Sequence, residues 1–415
     1  MSGTFPPWHG GTGGEPATNV LALNSGSSSL KFGLYRVGSS RPEIIFFGVA
    51  ESIGGEGGKF HVQDPLGKVL LSETAPIPGQ REAILRLESF LKTAHVPAPV
   101  AVGHRIVHGG PKLRQHCLID EEVLRQLEAA TAFAPLHTPS TLSVIRAAQE
   151  HFPGLPQVAC FDTTFHAALP EVARVLPIAK QLQSAGLQRY GFHGLSCESI
   201  VRQLANELPS RVIIAHLGNG ASITAVKDGK SIDTSMALTP TGGVIMGTRS
   251  GDLDPGVLIF LMREKNYDAM MLEDLVDHHS GLLGISGLTS DMRGLHGAAS
   301  SNADARLAIQ MFCYSVRKQV AAMIAALEGV DLIVFTGGIG ENDAKSRATI
   351  CTGLSWIGVS LDDARNRSAK NPISGPESRC QVQVLVSQEG EEIARHTWTL
   401  LPPTHFRPGS EMAVE

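Results

Sequence analysis

Two segments far apart in the chain share one pattern, and this repetition constrains the fold more than any other feature. Residues 20–37 read VLALNSGSSSLKFGLYRV and residues 212–229 read VIIAHLGNGASITAVKDG. Each has an apolar run, a loop of glycine and small polar residues, and a second strand-like run, which predicts a β-hairpin. Aligning the segments places Gly26 opposite Gly218. Two units so widely separated indicate a duplicated domain, since solenoid repeats recur at short intervals.

Strand-like and helix-like patterns alternate between and after the two hairpins. Apolar runs that end in polar, acidic or glycine-containing loops occur at 100–110, 157–165 and 332–342. Helical patterns occur at 120–130, 196–207, 303–328 and 389–398. This alternation favours α/β domains, in which ligands bind at the carboxyl ends of the strands.

A chain of 415 residues is long enough for two or three domains. We expect the two main domains to divide between residues 167 and 168, and a C-terminal helix to complete the first domain. The expected segments are a disordered leader rich in Gly, Pro and Thr, a first domain, a second domain, the returning helix and a tail: 1–17, 18–167, 168–390, about 391–403 and 404–415.

Composition excludes several classes of protein. The net charge of -5 argues against a generic nucleic-acid-binding surface, although a few arginines in a cleft suffice to bind phosphate. The sequence has no apolar run near the ~20 residues of a membrane span and no secretory signal pattern. Its six cysteines are scattered without a C-x-x-C pair, which predicts reduced core residues. We therefore expect a cytoplasmic protein with no nucleic-acid or membrane partner.

The second hairpin loop, LGNGAS at 217–222, has the chemistry of a phosphate site. Glycines let the backbone approach an anion, and loop amides point towards it. A tight turn without a ligand is the alternative for one copy. Two copies and a third glycine turn at 337–340 favour a nucleotide site. The sequence contains neither a Walker A motif nor the protein-kinase catalytic set, so another architecture must bind the phosphates.

Four cationic candidates lie among glycines or at the ends of apolar runs. They are Arg105, His193, His216 and Arg249. Phosphoryl transfer needs positive charge at the transferring oxygens, and arginine recognises carboxylates and phosphates through two parallel hydrogen bonds. A solitary arginine or histidine is more often a surface or structural residue, so these four depend on their surroundings for support.

Two carboxylates also stand out. Asp162 follows a strand and either caps a helix or serves the active site, and Glu389 is either an exposed acid or a magnesium ligand. His104, His108 and His137 lack the spacing of a zinc motif, so we predict no zinc site.

Eight motifs in sequence order resemble the acetate kinase family, from about Thr18 to about Leu400. They are NSGSSSLKF (24–32), GHRIVHGG (103–110), FDTTFH (161–166), YGFHGLS (190–196), HLGNGASI (216–223), DTSMALTPTGGVIMGTRSGDLDP (233–255), GISGLTSDMR (284–293) and FTGGIGEN (335–342). The resemblance implies an α/β fold with two duplicated, ribonuclease H-like domains and an interdomain cleft, as in sugar kinases, Hsp70 and actin. It also implies a homodimer that transfers the γ-phosphoryl group of ATP to acetate, giving acetyl phosphate and ADP, with Mg²⁺ or Mn²⁺.

The same resemblance assigns roles to residues. It implies that the catalytic residues are Arg105, Asp162, His193 and Arg249. It implies a substrate site of Arg105, Val107, Leu136, His137, Phe192 and Pro240. It implies a nucleotide site of Lys31, His216, Leu217, Gly218, Asn219, Gly220, Asp291, Met292, Arg293, Gly338, Ile339, Gly340, Glu341 and Asn342. The implied metal ligands are Asn24 and Glu389.

The sequence departs from the family pattern at four places: HTPS (137–140), TPTGG (239–243), Met292 and SQEGEE (387–392). A propionate kinase or a broader short-chain carboxylate kinase therefore stays open as an alternative. A sugar kinase and an ATPase of the actin or Hsp70 type are more distant ones. Because acetate is already ionised at pH 7, it needs no general base. We expect Asp162 to position Arg105, although the family pattern assigns it proton transfer.

Overall fold

The computed structural model describes residues 17–26, 28–135 and 137–402. The chain forms two compact units. One comprises the chain up to Phe161 and the segment from Glu389 onwards, and the other is Asp162–Gln388. The boundary therefore lies at the end of a strand, a few residues before the expected position between residues 167 and 168. None of the helices in these described ranges is long and apolar enough to cross a membrane.

The first unit contains an eight-stranded mixed sheet. Its strands are β1 (Thr18–Ser25), β2 (Ser29–Val37), β3 (Glu43–Glu51), β4 (Lys59–Gln63), β5 (Val69–Thr74), β6 (Ala101–Ile106), β7 (Cys117–Leu118) and β8 (Gln157–Phe161). They are ordered β5-β4-β3-β2-β1-β6-β8-β7. The predicted first hairpin is confirmed, because β1 and β2 pair antiparallel. β6 runs parallel to β1, and β8 runs parallel to β6.

Three helices of the first unit lie between its strands in sequence, one between β5 and β6 and two between β7 and β8. They are α1 (Gln80–Thr93), α2 (Glu121–Ala129) and α3 (Thr138–His151), and a 3₁₀ turn spans Ala130–Phe133. Aromatic side chains from the sheet and α1 fill the core between them. Phe32 stacks on Phe60, and the Phe46 ring meets Phe32 and Phe90 edge-on. This burial holds the β1–β2 hairpin rigidly in its sheet.

The second unit contains a five-stranded sheet. Its strands are β9 (Arg211–Leu217), β10 (Ala221–Lys227), β11 (Lys230–Thr234), β12 (Leu332–Thr336) and β13 (Gln381–Val384). They are ordered β11-β10-β9-β12-β13. β9 and β10 form the predicted second hairpin, and β12 runs parallel to β9. The same order occurs in the first sheet as β3-β2-β1-β6-β8, so the two sheets bear out the predicted duplication.

Helices surround the second sheet. They are α4 (Glu171–Arg174), α5 (Lys180–Ser184), α6 (Gly194–Leu204), α7 (Pro255–Lys265), α8 (Ala269–His278), α9 (Gly281–Ser286), α10 (Met292–Ala298), α11 (Ala303–Leu327), α12 (Gly337–Asn342), α13 (Ala344–Thr352) and α14 (Asp363–Ser368). Short 3₁₀ turns span Thr164–His166, Ala205–Glu207 and Ser355–Ile357. Ile200 of α6 packs with Ile214 and Val334 of the sheet in a buried cluster.

The last helix, α15 (Glu389–Leu400), belongs to the first unit. It packs on the central strands of that sheet, where Gly103 of β6 leaves room for it. A Cβ at Gly103 would collide with the Thr397 hydroxyl and press on Ile393. Glycine at this position therefore allows α15 to place its first residue, Glu389, beside the end of β1.

Candidate active site

In the first unit, three predicted site residues form one hydrogen-bonded row. The Asn24 side-chain amide donates to Glu389 Oε2 at 2.8 Å, and Arg105 Nη1 donates to Asn24 Oδ1 at 3.0 Å. Asn24 lies near the end of β1, and Arg105 lies near the end of the adjacent parallel strand β6. The partners fix the amide orientation, because a reversed amide would place its NH₂ group against the guanidinium. Asn24 thus connects the cation to the carboxylate.

Lys31 lies beside this row on the hairpin. It is directly opposite Asn24 in the β1–β2 register, and its side chain is exposed. Asn24 and Glu389 also match magnesium in donor type, since Mg²⁺ prefers carboxylate and amide oxygens. Asn24 Oδ1 accepts one hydrogen bond from Arg105 and has a second lone pair.

A small pocket of the first unit contains two of the predicted acyl-binding residues. Val107 and His137 line it, together with five residues that the sequence did not single out: Ile106, Leu127, Thr138, Thr141 and Leu142. Leu127 of α2 and Leu142 of α3 belong to a buried hydrophobic cluster of the same unit, so they serve the core as well as the pocket. Leu136, also predicted here, lies outside the described residues.

In the second unit, Asp162 holds the turn that carries His193. The Gly194 amide donates to the Asp162 carbonyl at 2.9 Å, and a Cβ at Gly194 would collide with that oxygen. His193 itself is in the left-handed region, at φ 57°, immediately before α6. Such a conformation is uncommon for a residue with a side chain and marks functional positions. The structure buries Asp162 completely.

His166 contacts the same turn through the carbonyl of Phe192, the residue before His193. Its ring lies 3.0 Å from the Phe192 carbonyl and 2.8 Å from the Ser231 hydroxyl. Desolvation by burial lowers the pKa of His166 to about 4, so its ring is neutral at pH 7. Phe192, predicted for the acyl pocket, is buried next to His193.

His193, Arg249 and the glycine turn of the second hairpin meet at one point. A Cβ at Gly220 would lie 3.3 Å from His193 Nε2 and 3.4 Å from Arg249 Nη1. Arg249 Nη1 donates to the Pro240 carbonyl at 3.3 Å. The Gly218 amide donates to the Gly220 carbonyl at 2.9 Å and closes the turn. A histidine and an arginine side chain therefore converge on the turn that the sequence assigned to phosphate.

The imidazoles of His193 and His216 stack, with ring centroids 4.1 Å apart and planes inclined by 19°. Two positive charges at about 4 Å repel by roughly 4 kcal/mol at the effective dielectric of a protein surface. This arrangement favours at most one imidazolium in the pair. Serine hydroxyls contact both rings. Ser222 Oγ lies 3.0 Å from His193 Nδ1, and Ser196 Oγ lies 2.8 Å from His216 Nδ1.

The third glycine turn, at the start of α12, lies next to the second. A Cβ at Gly218 would be 3.9 Å from the Gly338 amide nitrogen. Glu341 Oε1 accepts from the Gly337 amide at 2.9 Å and the Ser387 amide at 3.1 Å. Asn342 donates to the Gly338 carbonyl at 2.9 Å. Glu341 and Asn342 therefore stabilise the turn itself, which leaves its glycines facing the second hairpin.

The remaining predicted nucleotide residues begin α10. Asp291 caps this helix by accepting from the Arg293 amide at 3.0 Å, and its carboxylate pairs with the Arg293 side chain at 3.1 Å. The hydrogen bond from the Arg293 guanidinium lowers the pKa of the Asp291 carboxyl group. Met292, the first residue of α10, is buried. His296 of α10 lies 2.8 Å from Asp343, which connects α10 to the end of the third glycine turn.

Comparisons with known proteins decide the family. The acetokinase family model matches residues 19–395. This chain belongs to the acetokinase family. It is 42% identical to an acetate kinase of Methylocella silvestris over 92% of this chain and 98% of that protein. It is 41% identical to an acetate kinase of Clostridium botulinum over 91% of this chain and 98% of that protein. The resemblance read from the eight motifs is confirmed.

Solved structures agree with this acetokinase fold. A propionate kinase of Francisella tularensis aligns with a TM-score of 0.87 and 36% identity, covering 92% of this chain and 100% of that one. An acetate kinase of Porphyromonas gingivalis aligns with a TM-score of 0.82 and 37% identity, covering 93% and 100%. The predicted α/β class with two duplicated sheets is thereby confirmed.

Several residues of this acetokinase site were missed by sequence reasoning. Ser196, Ser222 and Ser387 contact the stacked histidines or each other, and Arg347 donates to the Gly340 and Glu341 carbonyls at 2.9 Å. Ser196 lies in the motif YGFHGLS and Ser222 in HLGNGASI, but the family pattern assigns site roles in these motifs to other residues. Arg347 lies in a helical stretch with no local sign of burial, yet its side chain is enclosed.

Proposed function

We propose that this protein is an acetate kinase, which reversibly transfers the γ-phosphoryl group of ATP to acetate to give acetyl phosphate and ADP. The main support for this proposal is the 42% identity, over nearly the whole of both chains, to a relative named acetate kinase. A propionate kinase is the second candidate, because a solved structure with that name shares the fold at 36% identity. The higher identity to acetate kinases favours acetate.

In the first unit, Arg105 binds the substrate carboxylate in this proposal. Its hydrogen bond to Asn24 orients the guanidinium, and a planar guanidinium pairs well with a carboxylate. Val107 and His137 lie together in a small, mostly apolar pocket of the first unit, which supports their assignment to the acyl chain. A pocket of this kind discriminates weakly, since one methylene is worth only ~1–3 kcal/mol. Activity with propionate is therefore expected beside activity with acetate.

Arg249 and His193 act on the transferring phosphoryl group. The transition state carries charge on its equatorial oxygens, and prearranged donors stabilise it more strongly than the ground state. Both side chains reach the Gly220 turn, which supports this role. The turn at residues 218–220 and the turn that begins α12 bind the nucleotide phosphates and the adenosine. Lys31 contributes a further charge near the phosphates.

Asn24 and Glu389 would hold Mg²⁺ through oxygen atoms. The bound ion would neutralise phosphate charge, as in other kinases. The chemistry of an ionised carboxylate requires no general base, so Asp162 is assigned a positioning role. The support for this is its carbonyl, which accepts the Gly194 amide and fixes the turn that carries His193. Every substitution keeps that carbonyl, so a loss of activity in Asp162→Asn would assign a role to the buried carboxylate itself, and full activity would refute both positioning and proton transfer by this side chain.

A homodimer is also part of the proposal. Within the described residues, no residue of α7 is buried, although this helix contains Val257, Ile259, Phe260 and Met262. Phe260 is 54% exposed. An apolar helix surface of this kind normally packs against a partner. A second copy of this chain is the proposed partner, and Phe260→Glu should convert a dimer into a monomer in light scattering.

A cytoplasmic location completes the proposal, because ATP is the co-substrate and none of the cysteines in the described ranges forms a disulfide. One assay tests the reaction. The protein is incubated with ATP and acetate, propionate, butyrate, glycerol or water, and hydroxylamine traps any acyl phosphate as a hydroxamate. Hydroxamate formed only with carboxylates, with the highest kcat/KM for acetate, supports the proposal. ADP released equally without a carboxylate would refute it, and a higher kcat/KM for propionate would favour the second candidate.

A further inference from the structure

Three polar side chains of the second unit form a line that ends at His216. Ser387 Oγ donates to Ser196 Oγ at 2.9 Å, and Ser196 Oγ lies 2.8 Å from His216 Nδ1. Ser387 follows β13, Ser196 lies in the first turn of α6, and His216 is next to the last residue of β9. Ser196 is completely buried. Three separate elements are therefore arranged around one imidazole nitrogen.

The line has a direction. A serine hydroxyl has one proton to donate and two lone pairs to accept with. Ser196 accepts the proton of Ser387, and its own buried proton has no acceptor other than His216 Nδ1 among the described residues, so that proton is directed to His216. An imidazole that accepts at Nδ1 is neutral and carries its proton on Nε2. The two hydroxyls thus select one tautomer of His216.

The other nitrogen of His216 faces the glycine turn. A Cβ at Gly218 would lie 3.9 Å from His216 Nε2. We propose that Ser387 and Ser196 are positioning residues that hold His216 as the neutral Nε2–H tautomer, so that it donates to a nucleotide phosphate at the 218–220 turn. This assignment rests on the proposed function for the identity of the ligand, but the tautomer itself does not.

The stacked partner explains why a neutral His216 matters. The His193 ring lies 4.1 Å away, and Ser222 contacts its Nδ1. An imidazolium at His216 would repel positive charge on His193 and so disfavour its protonation. A protonated His193 is the form that best stabilises the negative charge of the transferring phosphoryl group. Fixing His216 as a neutral donor retains a hydrogen bond to phosphate and leaves the charge to His193.

Long-range ¹⁵N–¹H correlation spectra of protein labelled in histidine report the tautomer directly. His216→Gln identifies the His216 signals. The wild type should show a single Nε2–H tautomer for His216, and Ser196→Ala and Ser387→Ala should each give a mixture of tautomers. Ser387→Thr keeps the hydroxyl and should restore the wild-type spectrum.

Ser199→Ala is a matched control. Ser199 is buried in the same helix turn, donates to the Ser196 carbonyl and accepts from the Gln388 amide, but takes no part in the line. This variant loosens the same contacts between α6 and the segment after β13. Its His216 spectrum should match the wild type.

ATP binding and turnover separate the two proposals. Adding ATP should shift the His216 Nε2 signals, and Ser196→Ala and Ser387→Ala should raise the KM for ATP about tenfold. An Nδ1–H tautomer or an imidazolium in the wild type would overturn the inference, as would an unchanged tautomer in both alanine variants. A wild type with the expected spectrum and ATP response but no acyl hydroxamate would refute acetate kinase activity alone.

Discussion

The buried Arg347 gives the sharpest test of how the third glycine turn is held. Its guanidinium makes four hydrogen bonds: Nη1 donates to the Gly340 and Glu341 carbonyls at 2.9 Å, and the other nitrogens donate to the Asn366 side chain at 2.9 Å and carbonyl at 2.6 Å. The side chain is 1% exposed. Arg347→Lys keeps the charge and replaces the planar fork with one point donor.

The expected loss follows from this geometry. A single ammonium reaches either the two turn carbonyls or the two Asn366 acceptors, so about half of the bonds are lost. Hydrogen bonds from charged groups contribute ~1.5–3 kcal/mol each, which gives a destabilisation of about 3 kcal/mol at the lower end. If about 1.4 kcal/mol of this loss falls on the turn, the Kd for ATP rises tenfold. Urea unfolding measures the stability, and calorimetry at a temperature where the variant is folded measures the Kd.

Arg211→Lys is the matched control. Arg211 donates to Asp331 and to the Glu328 carbonyl at the start of β9, about 20 Å along the strand from the glycine turn. Its partly exposed pair with Asp331 should cost about 1 kcal/mol or less, and the Kd for ATP should not change. ATP binding within twofold of the wild type in Arg347→Lys, despite lower stability, would refute a positioning role. Equal weakening in both variants would show a global effect.

Three further outcomes are expected. Arg105→Lys and Arg249→Lys should each lower kcat in the hydroxamate assay by well over tenfold, and a loss below tenfold, ~1.4 kcal/mol, contradicts their roles. Asn24→Ala should raise the KM for acetate and the Mg²⁺ requirement together, roughly tenfold, because Asn24 bonds both Arg105 and Glu389; a change in only one would limit Asn24 to one partner. Burial lowers the pKa of His104 and His166 from 6.5 to about 4. Between pH 6.5 and 4 the unfolded chain therefore binds protons that the folded chain does not. The free energy of unfolding falls as the pH falls through this window, by ~3 kcal/mol per histidine. His166→Gln should remove the contribution of His166 and flatten the pH dependence measured by urea unfolding.

The sequence predicted the fold where the signals are local and repeated. Alternating runs on both sides of a glycine loop specify a hairpin wherever they occur, and the β1–β2 and β9–β10 registers follow from those runs. The motif order then identified the family. The family motifs named Arg105 as a substrate ligand and Asn24 and Glu389 as metal ligands. The hydrogen bonds that join these three residues were not predicted, because they depend on where α15 packs.

Contacts between side chains far apart in sequence could not be predicted. Ser387 reaches Ser196 only because the segment after β13 lies close to the start of α6, and neither serine stands out in its local sequence. Glu341 was expected to surround adenosine. The structure directs its carboxylate to the amides of Gly337, the first residue of α12, and of Ser387, two residues before α15. Amides at the start of a helix have no partner within the helix. Backbone groups of this kind attract a nearby acid regardless of any ligand, and the sequence alone does not show which acid lies near.

The duplication explains how one fold supplies two different kinds of site. Aligning Gly26 with Gly218 also aligns Asn24 with His216, and each is the residue before the last of a central strand. Both positions direct a side chain to the carboxyl end of a sheet beside a hairpin turn. An amide has a donor and an acceptor, so Asn24 joins a carboxylate to a guanidinium. A neutral imidazole accepts on one nitrogen and donates from the other. His216 therefore accepts from the buried Ser196 hydroxyl at Nδ1 and presents an Nε2–H donor to the glycine turn. The backbone position is common to both units, and the side chain there determines whether it arranges fixed charges or presents a donor.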